Sequence, residues 1–372
     1  MLAKASFVCV PLVLPMRPRQ RNSAAVPRRR VSPARRPISD MTQQTRAAIV
    51  GIAGPELTSD ERALLSNRPP LGVIFFKRNI TKKQQLIELA ASVRAIVPDC
   101  LLMVDQEGGR VARLRPPEWH GHPPAAAIGM LHRRDRAAGI RAAFLTGALI
   151  GLDCIQAGFD VVCAPVLDLA IPGANAVIGD RAYSENPMDV AALAGATASG
   201  LLAAGIQPVG KHAPGHGRGT LDSHLALPEL DDVDEADLIP FRELSWLPWM
   251  MTAHIRYRRV DSLQPATLSR TVIEDVVRGR IGFDNLLVSD DLAMHAVSGD
   301  PGAVALASLR AGCDIALHCS GIFEETRGVL ETVPAPDSAA WKRLAAARKM
   351  AADYRMDLDA DQIASERERL LA

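Results

Sequence analysis

Eight short apolar runs, separated by helix-like stretches, set the terms for what this chain can become. They cover residues 47–54, 71–77, 101–105, 160–169, 207–212, 249–254, 285–290 and 314–319. Most lack polar alternation, the pattern of parallel strands covered on both faces rather than of strands with a wet side. The stretches between them, 81–97, 133–157, 188–204, 235–244, 269–279 and 302–311, repeat alanine and leucine at three- and four-residue spacing, the period of a helix face. Strands alternating with helices predict a parallel α/β architecture, and eight such units in about 290 residues fit a single (β/α)8 TIM-type barrel better than an open sheet.

The polar residues fall in one register. Asp105, Lys211, His212, His254 and Asp290 each sit at or just past the end of an apolar run. In a barrel these ends share the face where active sites are built. A single aspartate at a strand end caps a helix or a turn more often than it reacts, and a lone histidine such as His318 is usually a satisfied core residue. The repetition of the placement is what points to a site.

One stretch carries most of the chemistry: Lys211-His212-Ala213-Pro214-Gly215-His216-Gly217-Arg218-Gly219-Thr220-Leu221-Asp222-Ser223-His224. Gly215, Gly217 and Gly219 free the backbone for sharp turns and movement. Asp222 and His224, two apart, share a side if the chain there is extended. A carboxylate beside an imidazole fixes its tautomer and favours its cation, which suits a proton shuttle near neutral pH. The bland alternative is an Asp–His hydrogen bond that clamps the loop.

The 372-residue chain has 43 Lys and Arg against 42 Asp and Glu, but the balance is uneven. Residues 1–40 hold Lys4 and eight arginines with Asp40 as the sole acid, leaving 34 basic and 41 acidic side chains, a net of about −7, for the remainder. A mildly acidic body argues against a nucleic-acid partner. The apolar stretch 7–16 is too short to span a membrane, and its arginines follow rather than precede it, unlike a signal peptide. Residues 1–44 are therefore expected to be a disordered extension or an over-long start with Met41 as the true one. Residues 45–335 are expected to form the barrel, and 336–372 helices packed on its exterior. The six cysteines, without zinc-type spacing, read as reduced and buried, as in a cytoplasmic protein.

Three segments resemble glycoside hydrolase family 3, and more narrowly its bacterial β-N-acetylhexosaminidases of cell-wall recycling. They are Met103-Val104-Asp105-Gln106-Glu107-Gly108-Gly109-Arg110-Val111, the Lys211–His224 loop, and Ser289-Asp290-Asp291-Leu292 with Met294. Met251-Thr252-Ala253-His254 and Pro265-Ala266-Thr267-Leu268-Ser269 follow the same order, so the resemblance spans about residues 45–330. It implies that Asp290 is a nucleophile forming a covalent glycosyl-enzyme, and that His224, partnered by Asp222, is the general acid/base. It also implies that Asp105, Arg113, Arg181, Lys211 and His212 hold a nonreducing-end N-acetylglucosamine. The implied substrate is GlcNAc-1,6-anhydroMurNAc, with or without peptide. The expected protein is a monomer taking a small muropeptide or amino-sugar substrate, with no cofactor, nucleic acid or membrane partner. The sequence departs from the family pattern at Ala213, usually Phe, at Arg218, often acidic, and at Asn285, commonly Gly.

The two carboxylates of Asp290 and Asp291 divide on this reading into a reacting group and a cap or structural acceptor. The rival function is a metal-dependent barrel hydrolase built on His212, His216, His224 and Asp105; against it stand the glycines between candidate ligands and the absence of HExxH. The only HxH, His120-Gly121-His122, lies in a proline-rich connection. The same residues would also serve phosphorolysis in place of hydrolysis, or a noncatalytic barrel that binds sugar.

Overall fold

The structure, a computed structural model, describes residues 45–219, 221 and 226–372. Each apolar run contains a strand: β1 Arg46–Gly51, β2 Pro70–Phe75, β3 Leu101–Val104, β4 Val161–Val162, β5 Gln207–Ala213, β6 Trp249–Thr252, β7 Leu286–Val288 and β8 Ala316–His318. β1 to β7 pair in parallel with their neighbours in chain order, and β8 returns to β1. A parallel bridge between Val288 and Ile315 joins the two remaining edges. The fold is α/β with a barrel sheet, as the rhythm of the chain predicts.

Burial explains the missing alternation. Ile49, Leu71, Leu101, Val161, Val209, Trp249, Leu286 and Leu317 point into one interior cluster. Their strand neighbours, such as Val50, Val73, Leu102 and Leu287, pack outward against helices. Both faces are apolar because both are covered.

The helices are α1 Ser59–Asn67, α2 Lys83–Ile96, α3 Ala125–Arg134, α4 Arg136–Ala157, α5 Pro187–Ala204, α6 Glu235–Glu243, α7 Pro301–Ala311, α8 Phe323–Thr332, α9 Ser338–Asp353 and α10 Ala360–Leu371. A π-type helix, Val272–Arg280, lies between β6 and β7. Their starts are written in the sequence. Thr58 and Glu61 form a reciprocal capping box, and Asn186, Asp234, Asp300, Asp337 and Asp359 each accept a first-turn N–H. The stretch read as one helix, 133–157, is two: Asp135 ends α3 and caps α4 through Ala138 N–H. The break falls in the charged run His132-Arg133-Arg134-Asp135-Arg136, which a helix can carry on a wet face, so only the cap shows that the chain turns there.

α4 and α5 are long and apolar enough to cross a bilayer, yet most of each is buried inside the protein. They approach closely through glycine. A Cβ on Gly147 would lie 2.0 Å from the Thr197 carbonyl oxygen, and one on Gly200 would lie 2.1 Å from that of Phe144. Because the obstructing atoms are backbone, Gly147→Ala is expected to force the helices apart and cost about 1–3 kcal/mol. Thermal denaturation checks this; an unchanged melting temperature would show that the pair can shift freely.

The C-terminal helices do more than coat the exterior. Leu344 and Ala347 of α9 belong to the barrel's interior cluster. Arg343 and Arg348 of the same helix bond Asp284, Asp314 and Asp99, which precede β7, β8 and β3. This helix plugs the N-terminal end of the barrel and leaves the opposite end open.

Candidate active site

The five described cysteines are free and buried. At the open end, a cavity of about 540 Å³ is lined by Asp105, Arg113, Arg181, Lys211, His212 and Asp290, among others. That volume suits a small-molecule ligand. Every sequence-predicted binding residue, and the predicted nucleophile, therefore share one space. Asp222 and His224 lie outside the described residues.

Five of the charges form a chain. Lys211, at the end of β5 and buried, donates to Asp105 Oδ1 at 2.9 Å and to Glu107 Oε1 at 2.6 Å. Arg181 grips Glu107 with both ends of its fork, at 2.8 and 2.9 Å, the strong bidentate form. Arg113 closes on Asp105 at 3.1 Å, and its guanidinium stacks on Phe76, 5.3 Å from the ring centre. Three cations thus share two carboxylates. Burial pushes the Glu107 carboxyl up, but Lys211 and Arg181 outweigh it and hold the group at about 2. Burial likewise opposes ionisation of Asp105, and Lys211 and Arg113 keep its carboxyl below the usual range. The Lys211 amine is raised in return: burial works against its charge, and the two carboxylates override burial. Every member is charged at neutral pH.

A second unit orients His212. Asp168, fully buried just past β4, accepts from His212 Nδ1 at 2.7 Å and from the His216 N–H at 2.6 Å. A carboxylate acceptor requires the proton on Nδ1, so Nε2 is the cavity-side nitrogen and lies 3.4 Å from the Arg181 guanidinium. Burial opposes the Asp168 charge, and His212 and His216 hold its carboxyl below its ordinary value regardless. Burial, then the neighbouring His212, pushes His216 down to about 4, leaving it neutral near pH 7.

Asp290 lies two residues beyond β7. Its N–H donates to Thr252 Oγ1 at 3.3 Å, and its Oδ1 accepts the Asp291 N–H at 2.8 Å. Burial raises the carboxyl, but His212, His254, the Asp291 N–H and Lys211 together draw it below the usual value. It is a carboxylate at neutral pH. Asp291 is different: its Oδ1 accepts the N–H groups of Ala293 and Cys319, both at 2.9 Å, and burial raises its carboxyl. Both line the cavity, but among the described residues Asp290 keeps an oxygen without a protein donor, whereas Asp291 holds backbone.

His254, grouped with the site by its strand-end placement, does not face the cavity. It is fully buried, with Nδ1 on Thr267 Oγ1 at 2.8 Å and Nε2 on the Asp291 carbonyl at 2.9 Å. The same Thr267 hydroxyl contacts Thr252 Oγ1 at 2.8 Å, so this set braces the loop that carries Asp290. His318 also lies off the cavity: its Nε2 meets Ser320 and Glu325, while its buried Nδ1 has no partner among the described residues. His120 and His122 both bond Asp153, and Arg367 of α10 donates to His122 Nδ1, which ties the proline-rich connection to the C-terminus. Among the described residues no group of three His, Cys, Asp or Glu side chains is placed to hold a metal ion.

The loop glycines serve in two different ways. Only Gly215 has a positive φ, at 139°. Gly217 is needed for space, because a Cβ there would lie 2.4 Å from the Leu169 carbonyl oxygen. The first half of the loop is packed, not loose.

Glu107 and Asp168 carry no role in the sequence reading. Asp168 ends an apolar run, as the other site residues do, and Glu107 is two residues past Asp105 in a hairpin of Gln106–Gly108 with Val111–Ala112. Those signals were present in the chain. Their partners, 44 and 74 residues away, were not.

The chain matches the glycosyl hydrolase family 3 N-terminal domain over residues 39–348. A beta-hexosaminidase of Methylococcus capsulatus is 40% identical over 327 residues, 85% of this chain and 94% of that protein. One from Pseudomonas aeruginosa is 41% identical over 279 residues, 73% and 82% of the two chains. Among solved structures, NagZ from Neisseria gonorrhoeae in complex with N-trifluoroacetyl-D-glucosamine superposes with a TM-score of 0.78 at 32% identity, covering 89% of this chain and 99% of that one. With the barrel, the strand-end carboxylates and these matches in agreement, this chain belongs to glycoside hydrolase family 3.

Proposed function

We propose that the protein is a retaining exo-β-N-acetylglucosaminidase that removes nonreducing-end GlcNAc from peptidoglycan fragments such as GlcNAc-1,6-anhydroMurNAc, with or without peptide. One observation carries the reading. An ionised Asp290 opens into the same cavity as the charged chain Arg113–Asp105–Lys211–Glu107–Arg181. Charged donors and acceptors held rigid by one another make strong hydrogen bonds to sugar hydroxyls and fix the ring.

In the proposed reaction an Asp290 oxygen attacks the anomeric carbon as the glycosidic C–O bond breaks. His224 gives its proton to the departing oxygen, with Asp222 supporting the imidazolium. Water then attacks the anomeric carbon of the glycosyl ester, His224 takes its proton, and Asp290 leaves as carboxylate with net retention. A histidine acid avoids a second negative charge beside the nucleophile. Support for the sugar comes from the relatives, which are named beta-hexosaminidases, and from the gonococcal protein's complex with an N-acylated glucosamine.

Two measurements test this. Turnover of 4-nitrophenyl β-N-acetylglucosaminide, followed by NMR, is expected to release the β-anomer first; initial α-anomer would overturn retention, and no turnover would overturn the activity. His224→Ala is expected to slow a disaccharide substrate by roughly 10²–10⁴-fold but the 4-nitrophenyl glycoside far less, because an activated leaving group needs little protonation. Equal losses on both would remove His224 from the acid role. GlcNAc-1-phosphate among the products in phosphate buffer would favour phosphorolysis on the same residues.

A further inference from the structure

The loop after β5 is anchored in two ways. Its inner part is fixed by close packing and backbone: Gly217 lies against Leu169, Gly215 N–H donates to the His212 carbonyl at 2.8 Å, and the Tyr257 hydroxyl donates to the Gly215 carbonyl at 2.5 Å. Its outer part is fixed by charge. Arg218 Nε donates to Asp237 Oδ2 at 2.9 Å, and its terminal nitrogen lies 3.1 Å from Asp234 Oδ2. Asp234 is the N-cap of α6, and Asp237 lies in that helix's first turn with its side chain 6% exposed. Among the described residues no other cation pairs with Asp237.

We propose that Arg218 is a positioning residue. Held by Asp237 and Asp234, it latches the outer part of the β5 loop to α6 and fixes where the segment bearing Asp222 and His224 begins. Those two residues follow it by four and six positions in the sequence. The kinetic consequence rests on the function proposed above; the mechanical one does not.

The surroundings make the latch sensitive to pH. Asp237 faces Arg218 from the loop, Asp234 on its own helix, Asp168 past β4 and the Tyr257 hydroxyl; Glu235, bonded to Arg242 and Arg280, lies on the exposed side of α6. Burial, which Arg218 only partly offsets, pushes the Asp237 carboxyl up to about 6. The pair is fully charged above that pH and loses its carboxylate below it. The sign separates latch from fold. An acid whose folded pKa is raised binds protons more tightly when folded, so Asp237 adds stability as pH falls from about 6 towards its ordinary value. Loss of activity through this group in that window is therefore a loop effect and not unfolding.

The test uses the full chain and four variants: Arg218→Ala, Arg218→Lys, Asp237→Asn and Asp234→Asn, the last keeping a good N-cap while removing its charge. Backbone hydrogen exchange of peptides covering 212–219 is read first. Arg218→Ala is expected to exchange there at least about tenfold faster, with the rest of the barrel unchanged and Arg218→Lys intermediate. In kinetics, Arg218→Ala is expected to lower kcat on a GlcNAc disaccharide about tenfold, the scale of a small misplacement of reacting groups, with KM nearly constant. Asp237→Asn should remove the contribution near pH 6 from the acidic limb of the profile. Wild-type exchange at 212–219 in Arg218→Ala and in Asp234→Asn would overturn the latch. So would a loss carried wholly in KM. If the unmodified protein cleaves no N-acetylglucosaminide, the functional reading fails, and exchange alone decides the latch.

Discussion

Asp290→Ala is expected to lower kcat by roughly 10⁴-fold or more, the size of effect seen when a nucleophile is removed from an otherwise intact site, while the protein remains folded. The geometry separates the two outcomes. Among the described residues the Asp290 carboxylate accepts one protein hydrogen bond, from the Asp291 N–H. Its loss leaves that donor short of a partner and costs about 1 kcal/mol. The folded-state pKa of Asp290 lies below its ordinary value, so the carboxylate adds stability above the ordinary value and loses it as pH falls through the folded one. A modest fall in stability at neutral pH is the consequence. Asp291→Asn is the contrast. Its carboxylate holds two backbone N–H groups through one oxygen, so the amide can keep both and retain most of the activity. A 2-substituted or 5-fluoro glycosyl fluoride should label Asp290 and no other carboxylate, read by peptide mass. Near-normal turnover of Asp290→Ala, or a label on Asp291, would transfer the role.

The barrel was legible because its cause is local. A strand buried on both faces must be apolar throughout, and the eight runs state that residue by residue. The strand-end register was legible for the same reason. What stayed hidden depends on which distant residues the closed sheet brings together. Nothing near Lys211 says that Glu107 is its partner, and nothing in 160–169 says that Asp168 turns to His212. His254 shows the reverse failure: its position is right for a site residue, but Thr267 and the Asp291 carbonyl take both of its nitrogens. Sequence reads position along a strand; it does not read which way the last side chain turns. The glycines of the β5 loop were read as freedom, where the fold uses Gly217 for close contact. Arg218 stood out as a departure, and only its distance to α6 gives it a purpose.

Glu107→Ala is expected to be the most destabilising change in the cavity, and to act on two observables at once. Its side chain is 7% exposed and bonded to Lys211 and to both ends of the Arg181 fork; those cations are 3% and 10% exposed. Removing the carboxylate leaves two buried cations with Asp105 as the only carboxylate in the chain. Breaking a buried ion pair in this way typically costs about 3–5 kcal/mol. Glu107→Gln keeps the shape and loses the charge, so it should fall between the variant and the parent. Activity should drop with stability, because Lys211 and Arg181 lose the group that aims them. The pH dependence carries the sharper sign. Glu107 is held at about 2, below its ordinary value, so its contribution is fully present above the ordinary carboxylate pKa and disappears as pH falls through about 2. The stability gap between parent and Glu107→Gln is therefore expected to be constant near neutrality and to narrow steadily below about pH 4. Urea denaturation at several pH values measures it. A gap that stayed constant to pH 2 would mean that Glu107 holds its partners through shape rather than charge, and the five-membered chain would no longer account for how the cavity is held.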